Sequence, residues 1–205
     1  MAHVAYKKAL FLLENGFCER EFTQAQRVLK SMGYDCRISS SSTGLIYAWK
    51  EEKQPVTSNW SNGYAPNYKI SDVVYSEYDV LVILGGYRST EKLKLTQGVK
   101  PIISSFLKSN KPVIAYNYGV DLLGFYDLLR GYSVAVKGNM LDVVRAAGGR
   151  PAATEFVVSK NLISLTRYRD VDDKIRHAIY SILKGEKYFE QVCPVNGTPH
   201  SNIAA

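Results

Sequence analysis

Cysteine is scarce in this 205-residue chain, with three residues, Cys18, Cys36 and Cys193, far apart in sequence. That is too few for a disulfide framework and the wrong spacing for a zinc site. A reducing, cytoplasmic setting is the expectation. Histidine is equally rare. His3, His177 and His200 form no metal-ligand spacing, so neither a metal nor another cofactor is expected. Long hydrophobic runs are missing too, and nothing approaches the roughly 20 apolar residues of a membrane helix. The apolar stretch in MAHVAYKKALFLL runs into ENGFCEREF, with no small-residue cleavage site, and reads as a buried strand rather than a signal peptide. Basic residues do not cluster either. Lys and Arg total 26 against 19 acidic residues, a net charge of +7, yet they are scattered along the chain. Nucleic-acid binding needs a basic patch or a recognisable module, so nucleic acid is not an expected partner.

What is present is an ordinary globular balance, 46% hydrophobic and 22% charged. Short β-branched runs alternate with longer amphipathic segments, the pattern of an α/β fold with a mainly parallel sheet. Strands are predicted at Lys8 to Leu13, Tyr34 to Ser39, Asp79 to Leu84, Pro112 to Tyr116, Ser133 to Val136, Glu155 to Val158 and Leu162 to Leu165. Helical spacing of Phe22, Ala25, Val28, Leu29 and Met32 predicts a helix from Glu19 to Met32, stopped by Gly33. One helix is predicted from the GGYRS loop to about Ser109, and others at Val120 to Leu129, Asp142 to Ala147 and Val171 to Lys184. A single domain over 1–190 is expected, with a polar loop or hairpin excursion at about 39–71 and a loose tail at 191–205.

In open α/β sheets ligands bind beyond the carboxyl ends of the strands. That rule selects the loops Glu14 to Glu19, Gly85 to Ser89 and Asn117 to Gly119, which converge on one crevice if their strands are neighbours. At these loops the chain resembles the ThiJ/PfpI family of the class I glutamine-amidotransferase-like superfamily. The resemblance runs in order through ENGFCEREF, EYDVLVILGG, KPVIAYNYGVDLL and RAAGGRPAATEFVVSKNLISLTRYRD, covering residues 7 to 185. It implies a flavodoxin-like three-layer sandwich and a homodimer.

The family's chemistry rests on a cysteine at a tight strand-to-helix turn, a histidine after it, and a glutamate from the first loop. In this chain the resemblance matches those positions to Asn117, Tyr118 and Cys18. A neutral amide has no low-pKa form to attack a carbonyl, so the hydrolase, amidotransferase and deglycase activities are not expected to carry over. The expected product of this change is a small-molecule pocket without a catalytic cysteine. It is read either as a non-covalent acid–base lyase, hydratase or isomerase for a carbonyl or aromatic compound, or as an inactive scaffold.

The candidate catalytic residues are therefore Asn117, Tyr118 and Cys18, the last either a relocated nucleophile or a small residue of the pocket wall. Candidate ligand-binding residues are Glu14, Gly85, Gly86, Tyr87, Tyr116 and Arg167. Gly85 and Gly86 can let backbone approach a ligand, and the tyrosines can orient a carbonyl or stack on a ring, or simply bridge core and surface. Glu14 and Glu19 could supply a displaced base, while Glu19 and Glu21 also suit a helix start. Arg167 and Arg88 each read as an anion contact or a surface ion pair, and Asp121 as a helix-dipole residue.

Overall fold

The computed structural model describes residues 7–49, 60–138 and 140–186. The expected loose tail at 191–205 and part of the 39–71 excursion lie outside the described residues. The chain opens with β1 (Lys7–Leu12), the two-residue β2 (Phe17–Cys18), α1 (Glu19–Ser31) and β3 (Tyr34–Ser40). A hairpin follows, β4 (Ile46–Trp49) and β5 (Trp60–Tyr64), then β6 (Tyr68–Lys69) and β7 (Val80–Ile83). Next come α2 (Tyr87–Leu95), α3 (Val99–Lys108), β8 (Val113–Tyr116) and α4 (Tyr118–Phe125). The last part holds β9 (Ser133–Ala135), α5 (Met140–Ala146), β10 (Arg150–Ala152), β11 (Phe156–Ser159), β12 (Leu162–Leu165) and α6 (Asp172–Lys184).

Seven strands form the central sheet in the order β11-β12-β8-β7-β1-β3-β6. Every neighbouring pair is parallel except β11 with β12. Both faces are covered, which is why β7 and β8 read as unbroken apolar runs. Side chains alternate across the sheet. Phe11, Val82 and Ile114 pack with Phe22, Val28, Ile175 and Ile179 beneath α1 and α6. On the other face Leu10, Leu12, Leu81 and Ile83 meet Ile103, Phe106, Val120 and Leu123. The result is a three-layer α/β sandwich.

The single helix predicted up to Ser109 is two. Gly98 sits in the left-handed region at φ 93° between α2 and α3, and the chain turns there instead of continuing. The far end of α3 is closed by the buried Asn161, whose amide donates to the carbonyls of Phe106, Leu107 and Lys111. The first two are carbonyls of the last turn of α3, where a helix leaves carbonyls without intrahelical partners.

The chain reverses its direction of travel across the sheet at β1. From β1 it steps outward to β3, then returns to the opposite side at β7 and β8. The carboxyl ends of β1, β7 and β8 therefore face one switch-point crevice, the place where ligands bind in this architecture. A second, small sheet walls that crevice: β2 pairs parallel with β4, and β4 antiparallel with β5.

Candidate active site

The turn after β8 centres on Asn117, which holds φ 41° and ψ −112°. A non-glycine residue in such a conformation costs of order 1–3 kcal/mol and persists only where its surroundings fix it. Here the Asn117 N–H donates to the Leu165 carbonyl at 2.8 Å, and its own carbonyl accepts from Val120 N–H at 2.9 Å. The residue thus stands as a sharp elbow between the sheet and α4. Its side-chain Nδ2 donates to Glu21 Oε1. The other oxygen of that carboxylate, Oε2, accepts the Gly85 N–H at 2.6 Å. One buried carboxylate, 3% exposed, therefore joins α1 to the loops after β7 and β8.

This arrangement corrects two expectations. The carboxylate at the elbow is Glu21, and Cys18 does not occupy a glutamate's place. Cys18 precedes the first residue of α1, whereas Glu21 lies almost a full turn further on, on the side of α1 that faces the sheet. Glu21 is consequently no solvent-facing helix-start residue. Its neighbour Glu19 accepts from the Tyr64 hydroxyl at 2.8 Å, and burial followed by this bond pushes the Tyr64 phenol up to about 12.

Three expected ligand residues, Glu14, Tyr116 and Gly85, do not line the crevice. Glu14 is fully buried and committed to protein partners: Oε1 accepts the Ser41 N–H at 2.6 Å, and Oε2 lies 2.9 Å from Lys92 Nζ. Tyr116 points into the core, because it occupies an inward position of β8. It is fully buried, and its hydroxyl donates to Gln24 Oε1 at 2.5 Å. Burial, then the nearby Glu21 and Asp172 charges, push this phenol well above its ordinary range. Gly85 also lies outside the lining, serving through its N–H to Glu21. Asp121 pairs with Lys94 at 2.6 Å, which is a fuller account of it than a helix-dipole role.

The crevice itself has a volume of about 630 Å³ and is lined by Cys18, Gly86, Tyr87, Asn117, Tyr118 and Arg167 of the expected set. Glu21, Trp49, Arg88, Lys137, Glu155, Thr166, Tyr168 and Arg169 complete most of its wall. Gly86 is obligatory here. It has φ 106°, and a Cβ on it would stand 2.3 Å from the Gly16 carbonyl oxygen. The Tyr87 and Tyr118 rings meet edge to face at 5.8 Å, and both are well exposed, at 60% and 37%. At the rim Glu155 sits between Lys137 (3.1 Å) and Arg167 (3.2 Å). The bond from Lys137, then that from Arg167, holds its carboxyl below the usual range.

Chemically, the site offers an amide with one oxygen acceptor and a second N–H beyond the bond to Glu21. It adds a phenol at Tyr118 and the Tyr118 and Gly119 amides, at helix positions that have no intrahelical acceptor. The thiol that lines the crevice among the described residues, Cys18, is 7% exposed. Cys36 is pushed up to about 11 by burial, a value that leaves almost no thiolate at neutral pH. Among the described residues no cluster of His, Cys, Asp and Glu could hold a metal ion, and no helix is long and apolar enough to cross a membrane.

Solved structures share this architecture. A ThiJ/PfpI domain protein from Brachyspira murdochii superposes with a TM-score of 0.71 at 18% identity, covering 88% of this chain and 98% of that one. A two-domain protein of Anabaena variabilis, with DJ-1/ThiJ/PfpI-like and ferritin-like domains, gives 0.72 at 22% identity over 87% of this chain, which spans 48% of that longer one. In sequence, the chain is 28% identical over 165 residues to protein/nucleic acid deglycase 2 of Escherichia coli, covering 80% of this chain and 90% of that protein. It is 26% identical over 159 residues to a deglycase of Thermococcus kodakarensis, covering 77% and 88%. Residues 7–179 match the DJ-1/PfpI family as a whole, and with the parallel sheet, the strained elbow after β8 and the carboxylate against it, the chain belongs to that family.

Proposed function

We propose that this chain binds a small carbonyl compound non-covalently in the crevice above Asn117, with no thiol intermediate. The observation that carries this reading is the side chain at the elbow. Asn117 is an amide whose Nδ2 is given to Glu21, so the strained turn presents hydrogen-bonding groups where covalent chemistry needs a nucleophile. The word deglycase in the relatives' names is not carried over for that reason. Within this reading Tyr118 is the proton donor. Its hydroxyl has an O–H to donate to a carbonyl oxygen, which suits a lyase, hydratase or isomerase step there.

A second reading, a scaffold that binds and catalyses nothing, draws on the same bond, because an amide engaged by a carboxylate is less available to a substrate. The test has two arms. A panel of small aldehydes and ketones is screened by melting temperature, and hits are re-measured on Tyr118→Phe and Asn117→Ala. Losing a hydrogen bond weakens binding by roughly 0.5–1.5 kcal/mol, and losing a general acid lowers turnover by about 10²–10⁴-fold. Binding with no turnover, lost in Asn117→Ala, selects the scaffold. If neither substitution changes binding or turnover, the crevice is not the site. Intact-mass analysis after treatment with the same carbonyl compounds is expected to show no adduct at residue 117.

A further inference from the structure

We infer that the ligand of this crevice is a small aromatic carboxylate whose acid group is held by Arg88. The inference rests on the non-covalent reading above and specifies the ligand class. Arg88 lines the crevice and is set in an aromatic frame. Its guanidinium carbon lies 4.8 Å from the centre of the Trp49 ring and 5.6 Å from that of Trp60. The two indoles meet edge to face at 5.1 Å. A guanidinium stacked on rings keeps its planar fork of N–H donors for a carboxylate. The stem of Arg88 passes over Gly16, where a Cβ would come within 2.7 Å of the Arg88 Cβ.

The charge inventory of the wall separates Arg88 and Arg169 from the rest. Both lining carboxylates already have donors: Glu21 has Gly85 and Asn117, and Glu155 has Lys137 and Arg167. Arg167 also reaches Asp170 at 2.9 Å. Among the described residues no carboxylate pairs with Arg88, and Arg169 has only a ring contact, 5.7 Å over Tyr168. Helix stability does not account for Arg88 either. It occupies the first turn of α2, which carries no acid, and a cation there opposes the helix dipole. An anion at this point meets a guanidinium and a favourable dipole together. Beside it, the exposed Tyr87 and Tyr118 rings and Trp49 provide the apolar faces that an aryl group needs. The volume of about 630 Å³ falls in the ordinary range for small-molecule sites.

The chain's two tryptophans, Trp49 and Trp60, are the pair that frames Arg88, so intrinsic tryptophan fluorescence reports on this corner. The probes are benzoate, its neutral isostere benzamide, and acetate, which carries the charge without the ring. Saturable fluorescence changes are expected with benzoate, at least about tenfold tighter than with benzamide or acetate, since a charge-assisted bidentate contact is lost in one and the ring in the other. In Arg88→Gln, an exposed change checked for folding by its melt, the preference for benzoate over benzamide is expected to vanish.

Equal binding of benzoate and benzamide overturns the assignment, and so does no response to benzoate at up to about 10 mM, a concentration at which weak contacts register. Acetate binding as tightly as benzoate overturns the aromatic part. Retention of the benzoate preference in Arg88→Gln, with loss in Arg169→Gln, moves the anchor elsewhere and refutes the role of Arg88. None of these outcomes touches the neutral carbonyl compounds and the Asn117 and Tyr118 variants that decide the reading on which the inference rests.

Discussion

Replacing Asn117 by Asp puts a second carboxyl against Glu21 and turns the elbow into a pH-dependent element. In the native chain the amide donates to Glu21 Oε1 while Gly85 donates to Oε2. In Asn117→Asp the first of these bonds is gone and two carboxylates stand at hydrogen-bond separation. Fully ionised at about 3 Å, with an effective dielectric near 20, they repel by roughly 5–6 kcal/mol. Taking up one shared proton is cheaper, and it restores an O–H···O bond. The folded pair therefore titrates above the unfolded carboxyl value of about 4. Between that value and the raised one the folded state holds one more proton than the unfolded state, so stability falls as pH rises, by about 1.4 kcal/mol per unit.

The variant is thus expected to lie near the parent at about pH 4.5 and to fall roughly 3 kcal/mol behind it by about pH 7. For a chain of this size that corresponds to a melting-temperature gap opening by about 6–12 °C. Urea or thermal unfolding of both proteins across this pH range measures it. The swap Glu21→Gln/Asn117→Asp, again one acid and one amide, is expected to close the gap. A gap that stays constant with pH, or one that survives the swap, refutes the contact between Glu21 and residue 117.

Two further outcomes follow from the same geometry and from the family. In Gly86→Ala the new Cβ would meet backbone at 2.3, 2.8 and 3.0 Å, which with the positive φ costs about 2–6 kcal/mol. Gly33→Ala, at φ 83° with open space, is expected to cost only about 1–2 kcal/mol, and paired thermal melts compare them. We also propose that the chain forms a homodimer, for which light scattering at micromolar concentration is expected to give twice the mass of one chain.

The sequence selected the three loops of the crevice by the strand-end rule, their convergence awaiting the β7-β1 and β8-β7 neighbours that the sheet order supplies, and the elbow was legible in KPVIAYNYGVDLL. Glu21 was not. Its charge next to Glu19 suited a helix start, and that explanation hid a second pattern. Glu21, Ala25, Val28 and Met32 follow helical spacing, so the carboxylate heads the apolar stripe that faces the sheet. A charge at the head of a core stripe is the signal that was available. Tyr116 and Glu14 were misplaced for the converse reason. Adjacency to a loop in sequence says nothing about which face of a strand a residue takes, and period-2 alternation sends Tyr116 into the core beside Ile114. Trp49 could not be foreseen as part of the wall, nor Trp60 as its partner, since only the β2–β4–β5 pairing brings the hairpin there.

That hairpin is attached both through main chain along β4 and through side chains on its inner face, where Ile46 and Ala48 join the core and Tyr64 meets Phe17, Phe22 and Glu19. Gly16 N–H bonds the Tyr47 carbonyl at 2.8 Å, Phe17 and Cys18 pair with Ala48 and Trp49, and the Asn15 side-chain oxygen accepts the Tyr47 N–H at 2.8 Å. Backbone pairing is indifferent to what the strands carry outward. The wall can therefore be rewritten at Trp49, which lines the crevice, and at Trp60, which frames Arg88, while the strained elbow and its carboxylate stay as they are. Selectivity and framework are separable there, and a library confined to those two positions leaves untouched Ile46, Ala48 and Tyr64, which seat the hairpin on the core.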